Sequence, residues 1–389
     1  MLHIGLELFL DSPPPQVTGK RLGYLCNQAS TDHLLRHGAQ LLQRRYGRQL
    51  CCLFSPQHGF FSEKQDNMIE SDHCVDPLTG LPVYSLYGEQ RKPTREMMEK
   101  IDVLLVDLVD VGTRVYTFLY TMAHCLEAAA ECGKEVIVLD RPNPIGGLAI
   151  EGNLLRPDCS SFVGLFPLPM RHGLTFGELA LLINKEFSLG AEVMVMAMRG
   201  WRREMLFRDT GLPWVAPSPN MPTPETAMVY PGQVIWEGTN ISEGRGTTQP
   251  FEFFGAPFIE HQAVLERLAD RDLPGCLLRP IVFQPTSGKW AGAPCRGFQL
   301  HVTDPRAFLP YRTSLCLLQT LQLLYPEEFR YKNPPYEYEY QRLPLDLILG
   351  DSALRRQLAE GRDLTELERE WEAGLAGFDG VRRTYFLYH

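Results

Sequence analysis

Ile101-Asp-Val-Leu-Leu-Val-Asp-Leu108, running on into Val109-Asp-Val-Gly-Thr-Arg114, is the stretch whose reading decides the fold. Its apolar residues continue almost unbroken for the length of a strand, as in a parallel strand covered on both faces. Val115, Phe118, Leu119, Met122, Cys125, Leu126 and Ala129 then recur at intervals of three and four, which predicts an amphipathic helix stopped by Gly133. Lys134-Glu-Val-Ile-Val-Leu139 reads as the next buried strand. It ends at Asp140-Arg-Pro-Asn-Pro144, where two prolines exclude helix and hold Asp140 and Asn143 on a stiff loop.

The same alternation extends in both directions. Lys20-Arg-Leu-Gly-Tyr-Leu-Cys-Asn27 and Leu50-Cys-Cys-Leu-Phe54 read as strands, the second running into the breaker-rich Ser55-Pro-Gln-His-Gly-Phe60. Residues 175–187 carry a helical pattern and residues 191–198 an apolar strand. The expected class is α/β: a Rossmann-like, doubly wound parallel sheet with ligands outside the carboxyl ends of its strands. After about residue 250 the texture shifts to short strands (277–283, 297–302) and helices (306–325, 352–361) around an aromatic-rich segment, 331–340. The expected division is a Rossmann-like catalytic domain, 1–248, and a smaller C-terminal α+β domain, 249–389, with a cleft between them. Residues 61–95 read as a long polar loop with acids at Glu63, Asp66, Glu70, Asp72 and Glu89, a length that implies cover over a site.

Composition narrows the function. The 389 residues are 44% hydrophobic and 22% charged, and the net charge of −9, with no basic stripe, argues against nucleic acid. Ten cysteines without a CxxC spacing read as free thiols in a reducing compartment. The first ten residues lack a basic start and carry Glu7, and no apolar run is long enough to span a bilayer. A cytoplasmic protein without membrane contact is therefore expected, although an exported protein trimmed of its leader would read the same. No GxGxxG follows the first strand, and no GxxxxGK[ST] or GxSxG occurs. His58, Asp66, Asp72, His73, His124 and His172 are ligand types without the spacing of a metal site. Neither a metal nor a nucleotide cofactor is expected, and oligomeric state is not legible.

Residues 237–251, Glu-Gly-Thr-Asn-Ile-Ser-Glu-Gly-Arg-Gly-Thr-Thr-Gln-Pro-Phe, stand out as a nearly apolar-free run with three glycines, two carboxylates and a guanidinium. One reading is a surface turn with a Glu243–Arg245 pair; the other is the polar wall of a cleft for a polyhydroxylated ligand. Cleaving a glycosidic bond needs a proton donor at the leaving oxygen and a second group at the anomeric centre. Glu237, Glu243, Glu63, Glu70, Asp110 and Asp140 are candidates, and a hydrogen-bonded structural carboxylate is the competing reading for each.

Ser55-Pro-Gln-His-Gly-Phe60, Val106–Arg114 with Tyr116-Thr117, Leu139–Pro144, Arg171-His-Gly173, Pro217-Ser-Pro-Asn-Met-Pro222 and Glu237–Phe251 together resemble the NamZ-like exo-β-N-acetylmuramidases, glycoside hydrolase family 171, formerly a domain of unknown function. The six motifs keep their order and cover nearly the whole chain. The resemblance implies release of N-acetylmuramic acid from the non-reducing end of peptidoglycan fragments, in a cleft between two domains. It also implies a catalytic glutamate before His58-Gly59, where this chain has Gln57, and an amide cannot donate and recover a proton near neutral pH. The catalytic set expected here is therefore drawn from Glu243, Glu237, Glu63, Gln57 and His58. Asp110, Tyr116, Asp140, Asn143, Asn220 and Asn240 are expected to bind substrate, with Arg114, Arg171 and Arg245 as candidates for the lactyl carboxylate. The alternative is a saccharide-binding protein that is catalytically silent or altered in specificity.

Overall fold

The structure, a computed structural model, describes residues 2–64, 69–88 and 90–389; Asp66 and Glu89 lie outside the described residues. Seven strands form the main sheet: β1 (Leu22–Leu25), β2 (Leu50–Ser55), β3 (Cys74–Val75), β4 (Pro82–Ser85), β5 (Val103–Val106), β6 (Glu135–Leu139) and β7 (Glu192–Met196). Their order is β3-β4-β2-β1-β5-β6-β7, and every pairing is parallel except β3 with β4. The expected α/β class and doubly wound sheet are found. Residues 61–95, read as one loop, contain β3, only two residues long, and β4, which opens on Pro82 and lies among polar residues and breakers, so neither registers as a strand in the sequence.

β5 explains why its sequence does not alternate. Val103 and Leu105 pack with Leu22, Tyr24, Leu53, Ile137 and Leu139 on one face of the sheet. Leu104 and Val106 pack with Leu25, Phe54, Val136 and Val138 on the other. Side chains still point to opposite faces at period two, but both faces are dry, so both are apolar. The following helix, Phe118–Cys132, ends where Gly133 takes a left-handed conformation (φ 60, ψ 43) and its N–H returns to Ala129 and Ala130.

The second unit carries an antiparallel sheet, β8 (Phe253–Ala256), β9 (Cys276–Phe283) and β10 (Cys295–Val302), in the order β8-β10-β9. The change from parallel to antiparallel sheet falls between Met196 and Phe253. The helix Pro224–Gln233 already packs on the helix Pro310–Leu324 of the second unit. A Cβ on its Gly232 would stand 1.9 Å from the Pro310 carbonyl oxygen. One apolar core runs without a break from Leu104 and Leu119 of the first unit to Leu315 and Leu347 of the second. All ten cysteines are free, and no described helix is long and apolar enough to cross a membrane.

Candidate active site

β1 leads outward to β2 on one side and has β5 on the other, so the sheet's switch point lies beside β1, and the crevice there sits outside the strands' carboxyl ends. The loop after β2 brings Gln57 and His58 to it, and the loop after β5 brings Tyr116 and Thr117. The second unit closes the crevice with Tyr230, Glu237, Arg245, Phe251, Tyr336 and Glu337, while Ser218 and Asn220 lie on the chain between. Together they surround about 460 Å³ of space, part of which is open solvent at the mouth of the crevice.

Three of these side chains, Glu337, His58 and Phe251 (φ 63), stand on left-handed backbone without being glycine. Tyr336-Glu337-Tyr338-Glu339 closes as a two-residue hairpin, Tyr336 and Glu339 exchanging N–H to O=C bonds of 2.9 Å each. Its central residues have φ 45 at Glu337 and φ 66 at Tyr338. Such turns normally use Asn-Gly, and a non-glycine residue there costs about 1–2 kcal/mol. His58 has φ 75 and is followed by Gly59 at φ 83. Strain of this kind persists where the surroundings fix it, and all three residues line the same cavity.

The Glu337 carboxyl on the wall is engaged at both oxygens. Gln57 Nε2 donates to its Oε1 (3.1 Å) and the Tyr87 hydroxyl to its Oε2 (2.8 Å). Gln57 is oriented in turn by Thr117, whose Oγ1 donates to Gln57 Oε1 at 2.5 Å. Burial pushes the Glu337 carboxyl up to about 7; the Tyr87 and Gln57 hydrogen bonds pull against that, and the neighbouring Glu237 charge adds to it. Glu237 is held at both oxygens, by Arg245 Nη2 (2.6 Å) and by the Tyr336 hydroxyl (2.6 Å). Behind it, Arg245 Nε meets Glu243 Oε1 at 3.3 Å and Lys289 Nζ donates to Glu243 Oε2 at 2.8 Å. Burial alone would raise the Glu243 carboxyl, but Lys289 and Arg245 outweigh it and hold the group below the ordinary value. Glu243 is thus a buried counter-ion, one residue removed from the cavity.

The structure brings Gln57, His58, Tyr116, Asn220, Glu237 and Arg245 to the cavity wall and places the other candidates elsewhere. Glu63 is exposed and packs against Gly59. Asp110 accepts from the Gly112 N–H at 2.6 Å and lies 3.3 Å from His172 Nε2. Arg114 is fully buried and donates to four backbone carbonyls, of Asn153, Leu168, Ile348 and Leu349, so its guanidinium ties the two units together and is not available to a ligand. Asp140 accepts from Thr175, Gly177 and Tyr388, and burial pushes its carboxyl up to about 6 against those bonds. Asn143 braces its own loop through Leu174 and Ile145, and Arg171 donates to the Ile145 carbonyl. Asn240 pairs with the backbone of Glu328 and Arg330. The buried ones among them, Arg114, Asp140, Asn143 and Arg171, are taken up by backbone groups that have no water to turn to. In the sequence Glu337 and Tyr336 are simply part of an aromatic-rich segment; the one signal there is acids spaced between tyrosines in Tyr336-Glu-Tyr-Glu-Tyr340. No group of three or more acids, histidines or cysteines with the geometry to hold a metal occurs among the described residues.

A Rossmann-like sheet joined to a smaller α+β unit, with an acid-lined cavity at the switch point between them, defines a two-unit α/β protein with a cleft suited to a small polar ligand. Family profiles described as "Exo-beta-N-acetylmuramidase NamZ, N-terminal" and "Exo-beta-N-acetylmuramidase NamZ, C-terminal" match residues 22–225 and 228–388. The chain belongs to the NamZ family. It is 44% identical over 387 residues to the peptidoglycan β-N-acetylmuramidase NamZ of Bacillus subtilis (strain 168), covering 100% of this chain and 91% of that protein. Crystal structures of two DUF1343 family proteins from Bacteroides fragilis NCTC 9343 superpose with TM-scores of 0.89 and 0.78, at 34% and 27% identity, each over 100% of this chain and 99% of the other.

Proposed function

We propose that this protein is an exo-acting glycosidase that releases N-acetylmuramic acid from the non-reducing end of peptidoglycan fragments, with Glu337 as its proton donor. The observation that carries the assignment is the Glu337 carboxyl on the cavity wall, held by Gln57 and Tyr87 and kept protonated to near neutrality. Gln57 cannot supply a proton, but its amide positions a carboxyl that can.

Both Glu237 oxygens are already engaged by Arg245 and Tyr336, which suits that group to stabilising positive charge at the anomeric carbon more than to attacking it. The substrate's own 2-acetamido oxygen then serves as nucleophile. It bonds to the anomeric carbon as the bond to the leaving oxygen breaks, and the Glu337 proton passes to that oxygen. Water opens the resulting cyclic intermediate and returns a proton to Glu337. Arg245 is the guanidinium that lines the cavity, and although it is paired with Glu237 and Glu243, its charge is what the lactyl carboxylate that distinguishes muramic acid from glucosamine meets there.

A chromogenic β-N-acetylmuramide tests the reading. Turnover by the wild type, with loss in Glu337→Gln, is expected. Gln57 favours one other reading, a protein that binds such sugars without cleaving them. Calorimetric binding of cell-wall fragments with no product would establish that reading instead.

A further inference from the structure

The His58 ring is fixed in one tautomer. Its Nδ1 lies 2.8 Å from the Lys64 carbonyl oxygen, which can only accept, so Nδ1 carries the hydrogen and Nε2 carries the lone pair. The 58–64 loop is closed by a second, backbone bond, from the Lys64 N–H to the His58 carbonyl at 3.3 Å, so the ring is anchored through Nδ1 to a loop that is itself closed. The side chain lines the cavity, and Nε2 has no hydrogen-bond partner among the described residues. Burial, with Arg245 facing the ring, lowers the imidazole to about 4, against the opposing pull of the Lys64 carbonyl and Glu237. The other polar groups nearby differ in kind. Tyr116, Thr117, Ser218 and Tyr230 present hydroxyls, and the Glu237 and Glu337 oxygens are engaged by neighbours. His58 Nε2 is an uncharged acceptor on the wall, a lone pair that cannot turn donor while Nδ1 holds the ring hydrogen.

We propose that His58 Nε2 accepts the N–H of the substrate's 2-acetamido group and so selects 2-acylamino sugars over sugars lacking that N–H. The inference rests on the glycosidase reading above, in which the acetamido oxygen attacks the anomeric carbon. An acceptor on the N–H fixes the plane of the amide so that its oxygen faces that carbon, and it draws electron density toward the oxygen as charge develops. No proton leaves the amide. The left-handed backbone at His58 is the strain that sets the imidazole at this angle.

The probe is N-acetylmuramic acid beside its 2-O-acetyl counterpart, which replaces N–H by oxygen. The wild type is expected to bind the amide roughly 10-fold to 100-fold more tightly by calorimetry, as for an acceptor left without its donor. His58→Asn, which tolerates a positive φ, is expected to lose that preference while binding of the ester is unchanged. In the ¹⁵N-histidine-labelled wild type, the Nε2 resonance is expected to shift with the amide and stay still with the ester, a readout that needs no folded variant. An unmoved Nε2 resonance, or a preference that survives in His58→Asn, would overturn the proposal. If discrimination is present but the chromogenic substrate is not turned over, the glycosidase reading fails while the His58 contact stands.

Discussion

Replacing Glu337 by Gln removes one proton and leaves the shape. Gln57 Nε2 and the Tyr87 hydroxyl now meet one oxygen and one NH2 group in place of two oxygens. Two independent losses are expected. As proton donor, Glu337 works in its protonated form, so wild-type kcat falls about tenfold per pH unit above its value of about 7, and Glu337→Gln lowers kcat by roughly 10²–10⁴. The second loss is thermodynamic. The folded chain keeps this proton to about 7, whereas an exposed glutamate releases it near 4.5. Between those values the native state binds more protons than the unfolded one, so stability falls as pH rises through the window. At about 1.4 kcal/mol per pH unit the gap amounts to about 3 kcal/mol, present below 4.5 and gone above 7. Urea midpoints at pH 4.5 and pH 8 for both proteins isolate this contribution, because other buried acids such as Glu151 and Asp140 titrate alike in both. A variant with wild-type kcat, or with the same slope of stability against pH as the wild type, would refute the assignment.

Gln57→Glu sets a second carboxyl about where Gln57 Nε2 now stands, 3.1 Å from Glu337 Oε1, so the two share a proton and the basic limb of the kcat profile moves upward. An unmoved limb would mean that Gln57 does not govern the Glu337 proton. Arg114→Met strips donors from four buried carbonyls and is expected to cost about 3–5 kcal/mol in urea unfolding, with KM of the folded fraction unchanged. A raised KM would return Arg114 to the ligand. Lys289→Met leaves Glu243 with Arg245 alone and is expected to destabilise the protein by about 3–5 kcal/mol, the cost of breaking a buried pair. Melting within a degree or two of the wild type would mean that the pair carries little.

The site was partly legible. Gln57, His58, Asn220, Glu237 and Arg245 belong to runs whose polarity and breakers make no sense in a core, and the structure draws them to one cavity. Asp140, Asn143 and Arg171 carry the same kind of signal, yet they serve buried backbone. A polar residue after a strand looks identical in sequence whether water, ligand or a covering domain lies above it. Glu337 was hidden for a different reason. Its place at the tip of a hairpin depends on positive φ at Glu337 and Tyr338, and neither residue advertises that as Asn-Gly would.

By itself the sequence determined the parallel body of the sheet, five of its seven strands, because uninterrupted apolar strands flanking an amphipathic helix can dry both faces in very few ways. It also located half of the cleft in local, breaker-rich loops. Tertiary structure alone decided which acid meets Gln57, since residues 57 and 337 are joined by no local rule and become neighbours only when the second unit packs over the first. Burial between those units, a property of the assembled fold, is also what raises the Glu337 carboxyl to a value useful for chemistry.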